Sequence, residues 1–138
     1  MSEHIPSALA RAVRDRAGNI CEYCHLPQLL QEAAFHIDHI SPRSGKGPSH
    51  ADNLALACVT CSLKKAARTR ARDALSKELV PLFHPRYDRW RDHFRWSGSK
   101  LMGRTATGRA TIVALGMNRP AIVAIRRALI ELGRSMQD

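Results

Sequence analysis

Residues Phe35 to Pro42 read FHIDHISP and set His36, Asp38 and His39 within four consecutive positions. An imidazole with an ordinary pKa of about 6.5 can accept a proton from water near neutral pH. A carboxylate is a ligand for hard divalent cations. Side by side, such groups can activate a water molecule and neutralise an anionic reacting centre. A histidine near a strand end is more often a hydrogen-bonded structural residue, so the reading turns on what surrounds the stretch.

Four cysteines surround it, as Cys21-Glu22-Tyr23-Cys24 and Cys58-Val59-Thr60-Cys61, with 33 residues between the pairs. Two residues between thiolates let both sulfurs of a turn converge on one tetrahedral cation, and two such turns complete a four-sulfur shell for structural zinc. The competing readings are two disulfides, which a reducing cytosol disfavours, and a redox CxxC, which needs only one pair. A closed shell of four sulfurs leaves no position for substrate. Zinc there would brace both ends of the segment holding FHIDHISP, as a small domain with a limited core requires.

The chain has 138 residues, 44% of them hydrophobic, enough for one modest core. Its first twenty residues carry Arg11, Arg14, Asp15 and Arg16 without a signal-like apolar run, and no eighteen uncharged apolar residues follow one another. The expectation is a soluble cytoplasmic protein with no membrane partner. The net charge is +10, and residues 41–72 hold seven Lys and Arg against one acid. With a pI near 10.3, a polyanionic partner is expected, nucleic acid above all.

The elements that must position these residues can be sketched from pattern. Ser7 to Ala17 has helical apolar spacing at Leu9, Ala10, Val13 and Ala17, with Gly18-Asn19 as the stop. Ala33 to Ile40 reads as a strand whose period of two puts His36 and Asp38 on one face and Ile37 and His39 on the other. Both polar neighbours reach one phosphate only if the strand ends or twists there. Residues 41–52 form a loop, Leu54 to Ala57 a second strand, and Val59 to Arg72 a basic helix, completing a ββα unit. Beyond it, Arg86 to Phe94 is expected as a short helix and Arg95 to Arg104 as a hairpin turning at Ser97-Gly98-Ser99. Helices should follow from Thr105 to Gly116 and from Asn118-Pro120 onward, with Trp90, Phe94 and Trp96 filling core between the two halves.

In this order, the cysteine pairs, IDHISP, a glycine-containing loop, Asn53-Leu54 and a basic helix resemble the HNH endonuclease family, closely over residues 21–65. The stretch Pro81 to Trp96, PLFHPRYDRW through HFRW, is similar to the C-terminal extension of many small bacterial members. The resemblance implies an α+β fold, a ββα-metal finger stapled by a four-cysteine zinc site with flanking N-terminal and C-terminal helices. It implies a single nuclease domain over 1–138, with the finger at about 21–72 and the helical extension at about 80–135. The implied activity is metal-dependent hydrolysis of DNA phosphodiesters. By position, Asp38 would bind a catalytic Mg²⁺ or another divalent ion such as Mn²⁺ or Ni²⁺, and His39 would be the general base. Asn53 would fix the loop and orient that histidine, and Cys21, Cys24, Cys58 and Cys61 would hold the structural zinc.

One position departs from the pattern. Directly after Cys61 most members have Asn or His to complete metal binding, and here Ser62 stands there. A hydroxyl is a weaker, shorter ligand. Either Ser62 binds through a water, or His36 or His50 substitutes, or activity is reduced; His36 is read first as a supporting residue. Lys64, Lys65, Arg68, Arg70 and Arg72 then extend a stripe suited to backbone phosphates. The reading is a DNA endonuclease. A non-catalytic zinc module that binds nucleic acid or a protein is the alternative from another class, against which Asp38-His39 argues because zinc folding requires neither. The same motif also fits an RNA-directed nuclease.

Overall fold

The computed structural model describes residues 5–42 and 47–134. Five α-helices and three two-stranded antiparallel sheets follow one another along these residues, a mixed α+β architecture. Helix α1, Ser7–Arg16, precedes strand β1, His36–His39; strand β2, Leu54–Ala57, and helix α2, Val59–Lys65, complete the ββα unit. Strands β3, Arg70–Arg72, and β4, Leu79–Pro81, form a second sheet; β5, Phe94–Ser97, and β6, Lys100–Gly103, form a third. Helix α3, Trp90–His93, leads into β5, and helices α4, Ala106–Leu115, and α5, Pro120–Glu131, close the chain.

The β1–β2 hairpin is held from three sides. Leu54 to Ala57 are wholly buried, so β2 is an interior strand although it has one strand partner. Its other edge is covered by the first cysteine turn: Glu22 N–H donates to Leu56 O, and Leu56 N–H donates to the Glu22 carboxylate, both at 2.8 Å. Arginines of α1 grip the hairpin's carbonyls, Arg14 that of Phe35 at 3.1 Å and Arg16 those of Ala51 and Leu54 at 3.0 and 2.6 Å. The register sets His36 opposite Ala57 and Asp38 opposite Ala55. Alanines on that face leave room beneath α2 for the polar side chains.

The C-terminal half clamps the same cysteine turn. Trp90 Nε1–H donates to Tyr23 O at 2.9 Å, and the buried Arg126 donates to Cys24 O at 3.3 Å while its guanidinium lies over Trp96. Phe94 is fully buried and Trp90 and Trp96 pack on the core, so these aromatics join the two halves as expected. Thr105 caps α4 by accepting from Gly108 N–H at 3.0 Å, and Gly116 ends it at φ +62°.

Three expected elements are shorter. Residues 33–35 are not strand, because the Gln28 side chain accepts from Phe35 N–H and donates to Ala33 O. Residues 86–89 are not helical but form a single turn, closed by Asp88 N–H donating to His84 O and by the Asp88 carboxylate accepting from His84 N–H. The basic helix stops at Lys65: Ala66 takes φ +51°, and Arg70–Arg72 becomes β3 against β4. The turn beyond β3 is fixed by the buried Asp73 carboxylate, which accepts from Ser76 N–H and from the Arg109 guanidinium fork. That contact holds the Asp73 carboxyl well below the usual carboxylate range.

Thr111 is completely buried, accepts from Phe83 N–H at 2.9 Å and donates to Thr107 O at 2.7 Å. Thr111→Val keeps the shape but leaves the Phe83 N–H without a partner, a cost of about 1–3 kcal/mol. Urea unfolding of the zinc-saturated protein measures it; a loss of only a few tenths would remove this contact from the fold's supports.

Candidate active site and metal centres

The ligand atoms of Cys21, Cys24, Cys58 and Cys61 all lie within 4.8 Å of one another, and all four residues are buried. Cys24 Sγ and Cys58 Sγ are 3.7 Å apart, close to the roughly 3.8 Å between sulfurs that stand 2.3 Å from one tetrahedral zinc. In each pair the second cysteine's backbone N–H points at the first one's sulfur, Cys24 N at 3.5 Å from Cys21 Sγ and Cys61 N at 3.4 Å from Cys58 Sγ. Burial pushes the Cys21 thiol up, and its hydrogen-bonded sulfur neighbours push Cys61 up. Hydrogen bonds from the same neighbours hold the Cys58 thiol well below its usual range, and a shell of four thiolates here would need a cation to balance its charge. The four residues fit structural zinc.

On the other side of α2 lies an open pocket of about 580 Å³, lined among others by His36, Ile37, Asp38, His39 and Ser62, with Ala66 and Ala67 at its rim. Strand β1 ends at His39 and has β2 as its sheet partner. Side chains from both faces of β1 reach this pocket, which is how adjacent residues come to share it. A larger pocket of about 770 Å³ lies behind the cysteines, lined by Trp90, Trp96, Ile125 and others, and contains none of these polar groups.

Asp38 is 8% exposed, and its two oxygens have different neighbours. Oδ2 is 3.1 Å from Lys65 Nζ, an ion pair without hydrogen-bond direction, while Oδ1 is 3.5 Å from Ser62 Oγ. Burial raises the Asp38 carboxyl and the Lys65 ammonium opposes that rise. Ser62 Oγ is also 2.9 Å from His36 Nδ1. His39 Nε2 is 2.8 Å from Ser49 Oγ, and burial lowers its pKa, with Asp38 pulling the other way. Asn53 fastens the loop: its side chain accepts from Ser41 N–H and donates to the carbonyls of Ser41 and Pro48. It reaches His39 through the backbone beside it, Ile40 N–H donating to Asn53 O at 2.9 Å.

The structure thus brings together His36, Asp38, His39 and Ser62. His50 is not among them: it is exposed, and its Nδ1 accepts from Asp52 N–H at 3.2 Å. Lys65 needs the largest correction. Expected on a phosphate-facing stripe, it is 2% exposed and donates to His39 O at 3.0 Å as well as pairing with Asp38. Lys65 lies three residues after Ser62, one helical turn along the same face, and that spacing was the signal for an inward position. Lys64, Arg68, Arg70 and Arg72 are exposed, the last two on β3 and not on a helix, and Arg68 is partly committed to the carbonyls of Lys64 and Ala114. Ser49 as a partner of His39 had no signal in the sequence.

If the cysteines carry zinc, the protein as purified contains one equivalent, and Cys58→Ser releases it and unfolds the chain, since metal binding energy is folding energy in such frames. Zinc content together with thermal melting checks this; a variant with unchanged melting temperature would remove the metal from the fold's supports.

The family model described as HNH endonuclease matches residues 21–68, from the first cysteine of the first pair to Arg68 just beyond α2. Comparison with curated proteins and with solved structures finds no match. Among the described residues no helix is long and apolar enough to cross a membrane. The matched span contains the cysteine cluster and the residues that line the pocket from His36 to Ala67, and over residues 21–68 the chain is similar to the HNH endonuclease family.

Proposed function

We propose that the chain is a metal-dependent endonuclease that hydrolyses DNA phosphodiesters, with His39 as general base, Asp38 as ligand of the divalent ion and the whole of residues 1–138 acting as one domain. The observation that carries this reading is that Asp38 and His39, neighbours in sequence, line one open pocket inside the matched span. A phosphodiester repels hydroxide, so its hydrolysis needs an activated water and neutralisation of charge at the phosphoryl group and departing oxygen. A buried carboxylate oxygen opening on a pocket fits a hard dication. Mg²⁺, Mn²⁺ or Ni²⁺ held there would supply the positive charge that the transferring group lacks.

The chain's own residues do the rest. The lowered pKa of His39 keeps its imidazole neutral at neutral pH, ready to accept a proton. In the tautomer whose Nε2–H donates to Ser49 Oγ, Nδ1 holds the free lone pair that takes the proton from water. Asn53 pins the loop on which Ser49 sits, through the Pro48 carbonyl, so the base is oriented at second hand. Lys65 favours the ionised form of Asp38 against the burial that raises its carboxyl.

The rival, a zinc-stapled nucleic-acid-binding module without catalysis, draws support from Ser62, a weak donor where a stronger one is usual, and from Lys65, which already neutralises part of the Asp38 charge. Cleavage of supercoiled plasmid with each divalent metal present or absent separates the two. Wild type should cleave only with metal, and His39→Ala should lose about 10²–10⁴-fold in rate. DNA binding without cleavage in every metal selects the rival.

The exposed cations give a second expectation. Neutralising four phosphates through Lys64, Arg68, Arg70 and Arg72 implies a slope of about −3.6 in log affinity against log salt, roughly a 10²-fold loss between 50 and 200 mM. DNA affinity measured across that range tests it; a flat dependence would rule the footprint out.

A further inference from the structure

The third donor position of the finger is where this chain departs from pattern, and the cluster around it has an imidazole, that of His36, on the strand side. His36 and Asp38 stand two apart on β1, on the face opposite Ala57 and Ala55, and both meet Ser62 of α2. Ser62 Oγ is 2.9 Å from His36 Nδ1 and 3.5 Å from Asp38 Oδ1. Neighbouring donors on one octahedral ion, each about 2.0–2.2 Å from it, stand about 3 Å apart. Nitrogen, hydroxyl and carboxylate are therefore already spaced close to neighbouring ligands. The Lys65 ammonium occupies the Oδ2 side of the carboxylate, which directs an incoming ion to Oδ1, the oxygen beside Ser62 and His36.

We propose that His36 is a ligand of the catalytic ion, supplying from β1 the strong donor that α2 lacks, with Ser62 as a weak companion between His36 and Asp38. This rests on the nuclease reading for the ion's role but not for its place. An imidazole in the set has a chemical signature that an all-oxygen site does not: it favours late first-row ions such as Ni²⁺ over Mg²⁺. A purely structural His36 would hold Ser62 in position and leave that preference unchanged.

The test is ion binding to the full-length, zinc-saturated chain, with zinc content measured before and after to detect exchange at the cysteines. Ni²⁺ and Mn²⁺ are titrated directly and Mg²⁺ by competition, for wild type, His36→Asn, His36→Ala, Ser62→Ala and Asp38→Asn. His36→Asn retains a donor able to bond Ser62, so its fold serves as the control where His36→Ala melts early. The expected result is a loss in Ni²⁺ affinity of at least the roughly 10–100-fold that removing a mere outer partner of a ligand costs, for both His36 variants, with a reduced Ni²⁺ to Mg²⁺ ratio in His36→Asn. Ser62→Ala should lose less than either, and Asp38→Asn should lose binding of all three ions. Unchanged Ni²⁺ affinity in both His36 variants overturns the proposal, as does a wild type that takes up no ion beyond its zinc. The full pattern of losses in a protein that cleaves no nucleic acid supports the ligand assignment while ending the nuclease reading, so the two can fail separately.

Discussion

Four cysteine sulfurs converge within 4.8 Å of one another, and every part of the chain that matters to the site is hung from that junction. The first pair lies along β2 through Glu22 and Leu56, and the second opens α2. Trp90 and Arg126 of the C-terminal half fasten on the carbonyls of Tyr23 and Cys24. A strand of four residues paired with one other strand has little stability of its own. A zinc ion at the cysteines would tie the turn beside β2 to the start of α2, and with the grip of the α1 arginines would make the hairpin a rigid platform. Precision at the pocket would then come from coordination chemistry and directed hydrogen bonds more than from a large core.

The hairpin divides its work between its strands. β2 is buried along its whole length, while β1 carries the imidazoles and the carboxylate of the pocket. Alternation along β1 sends His36 and Asp38 toward α2 and leaves Ile37 and His39 on the other face. Because the strand ends at His39, both sets border the same open space. Lys65 ties them further, one ammonium touching the carboxylate of Asp38 and the carbonyl of His39. A buried charge is costly unless paired, so a lysine 2% exposed beside a buried carboxylate is the arrangement in which each stabilises the other. The Asp38 carboxylate and the backbone of His39 are thereby fixed relative to each other, as the proposed roles of these two residues require.

Much of this was legible in the residues. The cysteine spacing, the β2 run LALA, the cap at Thr105 and the stop at Gly116 are local signals, and each corresponds to a feature of the structure. The failures share a cause. Arg70–Arg72 reads as acid-free helix, yet its backbone pairs with Leu79–Pro81, a partner that local propensity does not reveal. Residues 33–35 are apolar and run into the strand, yet a glutamine side chain takes their hydrogen bonds. Lys65 counts as one more positive charge in a composition; its spacing from Ser62 marks its face, and the packing of α2 on β1 buries it while Lys64 beside it stays exposed. His36 and Ser62 likewise look ordinary apart; their contact exists because α2 crosses the alanine face of the hairpin.

The central claim is that Asp38 and His39 border one site able to hold a divalent ion. Backbone amide NMR of the zinc-loaded chain, titrated with substoichiometric Mn²⁺, reads this directly, because paramagnetic broadening falls steeply with distance from the ion. The account predicts that the amides of residues 36–39 and of Ser62 broaden first, while those around Asp73 and along α5 stay sharp. Broadening centred elsewhere, or none at all before Mn²⁺ exceeds the protein, would contradict it.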